Sequence, residues 1–301
     1  MARLSFLPAL ALILLSLCWG YSWILNKLAL TDAGPFTYAA YRALLASICL
    51  LLALPLTGRS LKPDRIGELL LLGLIQTTAF VGLSMWALVQ GGVGSTSILV
   101  FTMPFWTLIL AWPLLGERVQ GSQWLAVGLA AIGLLIILRP WDFHGLILSK
   151  LLALVSGVLW AIGSIMVKRL QRAAPRDLLS LTAWQMMLGA IPLFLISLVS
   201  SEPAVAWSGQ FISVLLGTAI VSTAAGWLLW VYALKHVEAG IASMSMLAVP
   251  VIAIVSAAWH FGERPRPEEL TGMSLILLAL LIIGIRALRQ HVELAGPMGR
   301  E

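Results

Sequence analysis

The segment Met103–Arg118, MPFWTLILAWPLLGER, returns later in the chain as Val249–Arg264, VPVIAIVSAAWHFGER. Pro104 answers Pro250 and Gly116-Glu117-Arg118 answers Gly262-Glu263-Arg264, each 146 positions apart. A chain written twice is constrained to fold as two related units, and a repeat must be found before any single element is assigned. The run between each proline and its Gly-Glu-Arg is almost wholly apolar, and such runs recur along the 301 residues, of which 60% are hydrophobic and 11% charged. Soluble domains carry about 25% charged residues. With a mean hydropathy of +0.98, most of this chain must meet lipid rather than water.

Runs long enough to cross about 30 Å of hydrocarbon as helices fall at 6–28, 35–57, 66–89, 94–115, 121–139, 146–168, 177–200, 210–234, 240–261 and 268–288. Short punctuating segments such as Thr31-Asp32-Ala33-Gly34-Pro35 and Arg264-Pro265-Arg266-Pro267 separate them. The expected fold is an all-α polytopic membrane protein of ten transmembrane helices. Residues 1–139 form the first five-helix repeat and residues 140–301 the second, which ends in a short cytoplasmic tail. The first run follows Arg3 as a signal peptide would, but it is too long and further spans follow. Cys18 and Cys49 both lie inside apolar runs, so neither a disulfide framework nor a CxxC metal site is expected.

Alternating loops from a cytoplasmic N-terminus place 13 Lys and Arg inside and five outside, the five being Lys27, Arg139, Lys150, Arg264 and Arg266. The positive-inside rule therefore puts both termini in the cytoplasm. It also explains the pI near 9.7 without any nucleic-acid partner. Five spans per half is an odd number, so the second half enters the membrane from the opposite side. Such inverted repeats hold a substrate site near the midplane and expose it alternately to either face.

Further echoes extend the repeat. Trp19-Gly20-Tyr21-Ser22 with Lys27 is matched by Trp160-Ala161-Ile162-Gly163 with Lys168, and Ala87-Leu88 by Ala233-Leu234. The early Trp-Gly, Arg42 in the second span, a proline inside the fourth and Gly-Glu-Arg closing it, all repeated, resemble the EamA-type ten-helix branch of the drug/metabolite transporter superfamily. The resemblance covers nearly the whole chain and is specific for fold rather than substrate. It implies a basket of helices around a central cavity, with spans five and ten peripheral, and export from the cytoplasm across the cell's inner membrane.

Ionisable groups inside the spans are few, and each is a functional candidate by default. Arg42 lies seven residues after Pro35, about 10 Å along a helix at 1.5 Å per residue. It has two readings: a bidentate anchor for a substrate carboxylate, or a structural cation paired with backbone carbonyls or Asp32. Gln185 is its counterpart in the second half. All 13 acidic residues fall in loops, tails or end turns, which disfavours proton exchange through a buried carboxylate and favours facilitated diffusion. His260 is either an interfacial residue beside Trp259 or a titrating group.

Trp112, Trp124, Trp141, Trp207 and Trp259 lie near span ends, where amphipathic rings form interfacial belts. Trp19, Trp106 and Trp160 lie near the midplane. Trp19, Trp23 and Asn26 share one face of the first span, and Thr223, Trp227 and Trp230 one face of the eighth. These stripes are either packing surfaces or cavity walls, and bulky rings suit walls because membrane helices pack on small residues. Met85, Met244 and Met246 add adaptable apolar surface, and Gln76 and Ser164 polar handles. Pro104 and Pro250 free a backbone carbonyl within spans four and nine, as hinges or as static kinks. Gly94 and Gly240 permit close helix approach and are expected at the gates. Glu117, Arg118, Glu263 and Arg264 are expected to anchor helix ends, on opposite sides of the membrane.

No HExxH, GxSxG, phosphate-cradling loop or aspartate pair within spans is present. Neither an enzyme, a cofactor nor a metal is therefore expected. A small-molecule substrate and the bilayer are the expected partners, with the chain a monomer or weak homodimer. The expected cargo is amino acids with apolar or aromatic side chains, moved by alternating access. The alternative is a broad efflux permease for drug-like or cationic solutes with proton coupling, which the positive charges of Lys27, Arg42 and Lys168 argue against.

Overall fold

The computed structural model describes residues 6–91, 93–121, 123–138, 147–174, 176–261 and 267–295. Among them there is no strand, and the helices fall into ten successive spans. α1 is Phe6–Ala29 and α2 Pro35–Leu56. α3 runs as Ile66–Leu72, a π-helical turn Gly73–Ala79 and Phe80–Gly91. α4 is Val93–Val100 followed by Met103–Leu115, and α5 is Gln123–Leu138. α6 is Ile147–Ala173 and α7 Leu178–Val199. α8 runs as Gly209–Gly217, a π-helical turn Thr218–Ala225 and Gly226–His236. α9 is Ala239–Ser245 followed by Ala248–Phe261, and α10 is Pro267–Ala295. By length and composition seven helices are able to cross a membrane, and Met103–Leu115, Gln123–Ile136 and Leu270–Ile282 are shorter apolar helices.

The repeat is visible in the irregularities as well as in the spans. Both third helices of the repeats, α3 and α8, carry a π turn midway, and both fourth helices, α4 and α9, break midway at 101–102 and 246–247. The prolines therefore do not kink a continuous helix. Pro104 and Pro250 stand in the first turn of a fresh segment, where no intrahelical N–H bond is lost and a fixed φ is favourable.

Loop contacts agree with the alternating topology. Glu202, between α7 and α8, caps α2 by accepting from the backbone N–H groups of Phe36 and Thr37, each at 2.8 Å, and from the Thr37 hydroxyl at 2.6 Å. At the other end Arg59 pairs with Asp177 at 2.7 Å, and Arg176 with Glu68. Each of these contacts joins loops or helix starts that lie at one end of the bundle. The central core is built on α2 against α7, while Ala126, Ala130 and Leu134 of α5 pack with Met273, Ile276 and Ala279 of α10 in a separate cluster.

Close backbone approach fixes α3 against α7. A Cβ on Gly73 would lie 2.5 Å from the Gln185 carbonyl, and one on Gly189 2.5 Å from the Thr77 Cβ. Gly189→Ala is therefore expected to force the two helices apart, at about 1–3 kcal/mol for overpacking. A thermal unfolding midpoint lowered by several degrees would show this, and an unchanged midpoint would contradict the contact.

Candidate functional site

α1 presents a face of Trp19, Trp23 and Asn26 at helical spacing toward the centre of the bundle. With Arg42 of α2, Phe80, Val81, Ser84 and Met85 of α3, Phe101 and Met103 of α4, Trp160 of α6 and Ser222, Thr223 and Trp227 of α8, it encloses about 580 Å3, open mouth included. The floor is aromatic. The Trp160 ring lies edge-on to Trp19 at 5.1 Å and to Trp227 at 5.7 Å, and 4.7 Å from Phe80. The π turn of α8 brings the Ser222 carbonyl to the Trp19 indole N–H, which donates to it at 2.8 Å. The Thr223 hydroxyl donates to the Thr218 carbonyl, five residues back, at 2.9 Å. Such turns inside α-helices recur at functional sites.

The polar wall rests on one cation. Arg42 is only 9% exposed. Its Nη1 donates to Asn26 Oδ1 at 2.9 Å, and its guanidinium carbon stands 5.5 Å from the centre of the Tyr38 ring. The Tyr38 hydroxyl lies 2.8 Å from the same Asn26 oxygen and 3.0 Å from Thr218 Oγ1. Arg42 Nε has no hydrogen-bond partner. Among the described residues Arg42 forms no ion pair. Asp32, a partner weighed from sequence, instead accepts from the Ser208 hydroxyl at 2.7 Å.

Asn26 and Arg42 place the cavity's polar wall toward the end that carries the α1–α2 and α7–α8 turns. The opposite end is tied by Glu117. Its Oε1 lies 3.1 Å from Lys168 Nζ and 2.6 Å from Arg172 Nη2, and its Oε2 accepts from the Ala239 backbone N–H at 2.7 Å. Lys168 also donates to the Val237 carbonyl. One carboxylate thus joins the ends of α4 and α6 to the start of α9.

The sequence profile described as the EamA-like transporter family matches residues 6–139 and, a second time, 147–285. This chain belongs to the EamA-like transporter family. It is a multi-pass membrane transporter. Its relatives include "Uncharacterized transporter YoaV" of Bacillus subtilis, 26% identical over 91% of this chain and 93% of that protein. Another, "Probable amino-acid metabolite efflux pump" of Escherichia coli, is 27% identical over 90% of this chain and 92% of that protein. A solved crystal structure matches with a TM-score of 0.77 over 94% of this chain and 98% of the other at 16% identity, a likeness of fold alone.

In this EamA protein the cavity gathers Trp19, Trp23, Asn26, Arg42, Met85, Trp160 and Trp227. The other residues anticipated at the site stand apart from it. Trp230 is fully buried behind the floor, 5.4 Å from Trp160 between ring centres. Trp106 donates to Thr102 Oγ1 at 3.1 Å. Ser164 donates to the Trp160 carbonyl at 2.8 Å. Met246 is in the core, and Met244 and Gly240 line a recess beside Glu117 and Arg118. Gln76 and Gln185 are buried outside the cavity lining. Gly94 lies in the first segment of α4. Glu263 and Arg264 lie outside the described residues, as does Trp141. Sequence reading missed Tyr38, whose position one turn before Arg42 was the available signal, and the apolar wall of Phe80, Phe101 and Met103, which carries none.

Proposed function

We propose that this transporter exports small zwitterionic metabolites, foremost amino acids with apolar or aromatic side chains, by alternating access and without ion coupling. The observation that carries this reading is Arg42. A buried guanidinium with no carboxylate partner among the described residues carries an uncompensated charge, and a substrate carboxylate entering the cavity supplies the missing anion. Trp19, Trp23, Trp160 and Trp227 then receive the apolar body. The name of the Escherichia coli relative supports the same class.

In this reading the aromatic floor binds side chains by contact area, Arg42 with Asn26 fixes the carboxylate, and the segment joints before Pro104 and Pro250 act as hinges. Gly94 and Gly240 sit beside the moving contacts, and Glu117 with Arg118 holds the inner end closed. Glu263 and Arg264 are the repeat's counterparts on the outer side. Both termini are cytoplasmic, the membrane is the inner one, and the unit is a monomer or weak homodimer.

Equilibrium binding to purified protein tests the charge class. An apolar amino acid is expected to bind at least tenfold more tightly than the amine that lacks its carboxylate. Equal binding of both, or preference for the amine, would move the protein to the cationic drug class.

A further inference from the structure

The inverted repeat maps the polar wall of the cavity onto a second set of residues. Arg42 of α2 corresponds to Gln185 of α7, each seven residues into its helix from Pro35 and Leu178. Ser222 and Thr223, in the π turn of α8, correspond to Gln76 and Thr77 in the π turn of α3. Trp19 corresponds to Trp160. The second set shares one property. Gln76 Nε2, the Thr77 hydroxyl, both amide atoms of Gln185 and the Trp160 indole N–H are buried without a hydrogen-bond partner.

In the cavity half these positions are better satisfied. Arg42 donates to Asn26 at 2.9 Å, Trp19 to the Ser222 carbonyl at 2.8 Å and Thr223 to the Thr218 carbonyl at 2.9 Å. Unpaired buried amides and hydroxyls destabilise the state that contains them, so their clustering at symmetry-related places calls for a state that pairs them. Gln76 and Thr77 share the π turn of α3, which packs on the Gln185–Gly189 turn of α7, where a Cβ on Gly73 would lie 2.5 Å from the Gln185 carbonyl. A Cβ on Gly189 of α7 would lie 2.5 Å from Thr77 Cβ, and a Cβ on Gly163 of α6 3.0 Å from Gln76 Cδ.

We propose that Gln76, Thr77 and Gln185 form a second polar station, nearer the Glu117 end, that hydrogen-bonds the polar end of the zwitterionic substrate when that end opens. This rests on reading the Arg42 cavity as the substrate site. Two neutral amides and a hydroxyl offer donors and acceptors to both carboxylate and ammonium. They hold a carboxylate less tightly than the Arg42 guanidinium does, so the same ligand has unequal affinity at the two ends of its path.

Two experiments test it. In protein carrying Cys18→Ser and Cys49→Ala, a Thr77→Cys thiol reports solvent access to the station without needing any substrate. A membrane-impermeant thiol reagent is expected to label it from the Glu117 side, at least tenfold faster when Glu117→Gln is added. No labelling from that side in either background, or labelling from the Arg42 side alone, overturns the proposal. Gln185→Leu separates the station from a structural role. The expected result is an unfolding midpoint equal to or above wild type, outer-side binding of an apolar amino acid within twofold, and exchange across the membrane reduced at least tenfold. A lowered midpoint with exchange falling only as folded protein falls makes Gln185 structural. If wild type binds no amino acid, the Arg42 reading fails on its own, and the thiol experiment still decides whether the station opens.

Discussion

Replacing Arg42 by glutamine is expected to weaken binding of an apolar amino acid by roughly a hundredfold while the protein stays folded. Truncating one member of a buried, hydrogen-bonded charge pair costs about 2–5 kcal/mol, and each 1.4 kcal/mol is about tenfold in affinity. Stability should not suffer in parallel. Without substrate Arg42 has only the neutral Asn26 oxygen and the Tyr38 ring beside it, so glutamine removes a desolvated charge that nothing in the described residues neutralises. Arg42→Lys should recover only part of the loss, because an ammonium cannot reproduce the planar two-point grip of guanidinium on carboxylate. Equilibrium binding and thermal unfolding, measured on the same preparations, read both quantities. A collapsed midpoint, with normal affinity in the protein that remains folded, would return Arg42 to a structural role.

The second large effect is expected at Glu117. Glu117→Gln leaves Lys168 buried beside a neutral amide; the side chains of both residues are 9% exposed. Breaking a buried pair by removing one partner costs about 3–5 kcal/mol. Arg172 adds little to this, since its side chain is 48% exposed. Because Glu117 also holds the Ala239 N–H, the loss falls on the end of the bundle that carries Glu117 rather than on the Arg42 cavity. A shift of about 5.5 kcal/mol takes a two-state equilibrium from 1:99 to 99:1, so most of that range is within reach of one substitution. Hydrogen exchange of the segment around Ala239 should accelerate by at least tenfold, and binding from the Arg42 side should weaken. Exchange unchanged from wild type would mean that Glu117 does not hold the end closed.

The spans and the repeat were legible because apolar runs and the doubled Pro to Gly-Glu-Arg motif follow directly from the requirements of lipid and of two related halves. The π turns at Gly73–Ala79 and Thr218–Ala225 were not, since one extra residue per turn leaves no mark in composition. Pro104 and Pro250 read as kinks because a sequence does not show that the preceding helical segment already ends four or five residues earlier, at Val100 and Ser245. The α1 stripe of Trp19, Trp23 and Asn26 converges on one cavity because that whole face of α1 looks inward. Gln76 and Gln185 carried only polarity as a signal. Polarity inside a span marks a residue that needs a partner, and it does not say in which state of the protein the partner arrives.

The most direct test of the account is counterflow in liposomes loaded with an unlabelled apolar amino acid, with the labelled compound outside and no pH gradient. The account predicts saturable uptake of label that is unchanged when a pH gradient is imposed. Uptake is predicted to be lost in Arg42→Gln and to be competed by other apolar amino acids but not by their decarboxylated amines. Absence of counterflow for every amino acid, with uptake of cationic drug-like solutes driven by a pH gradient, would contradict it.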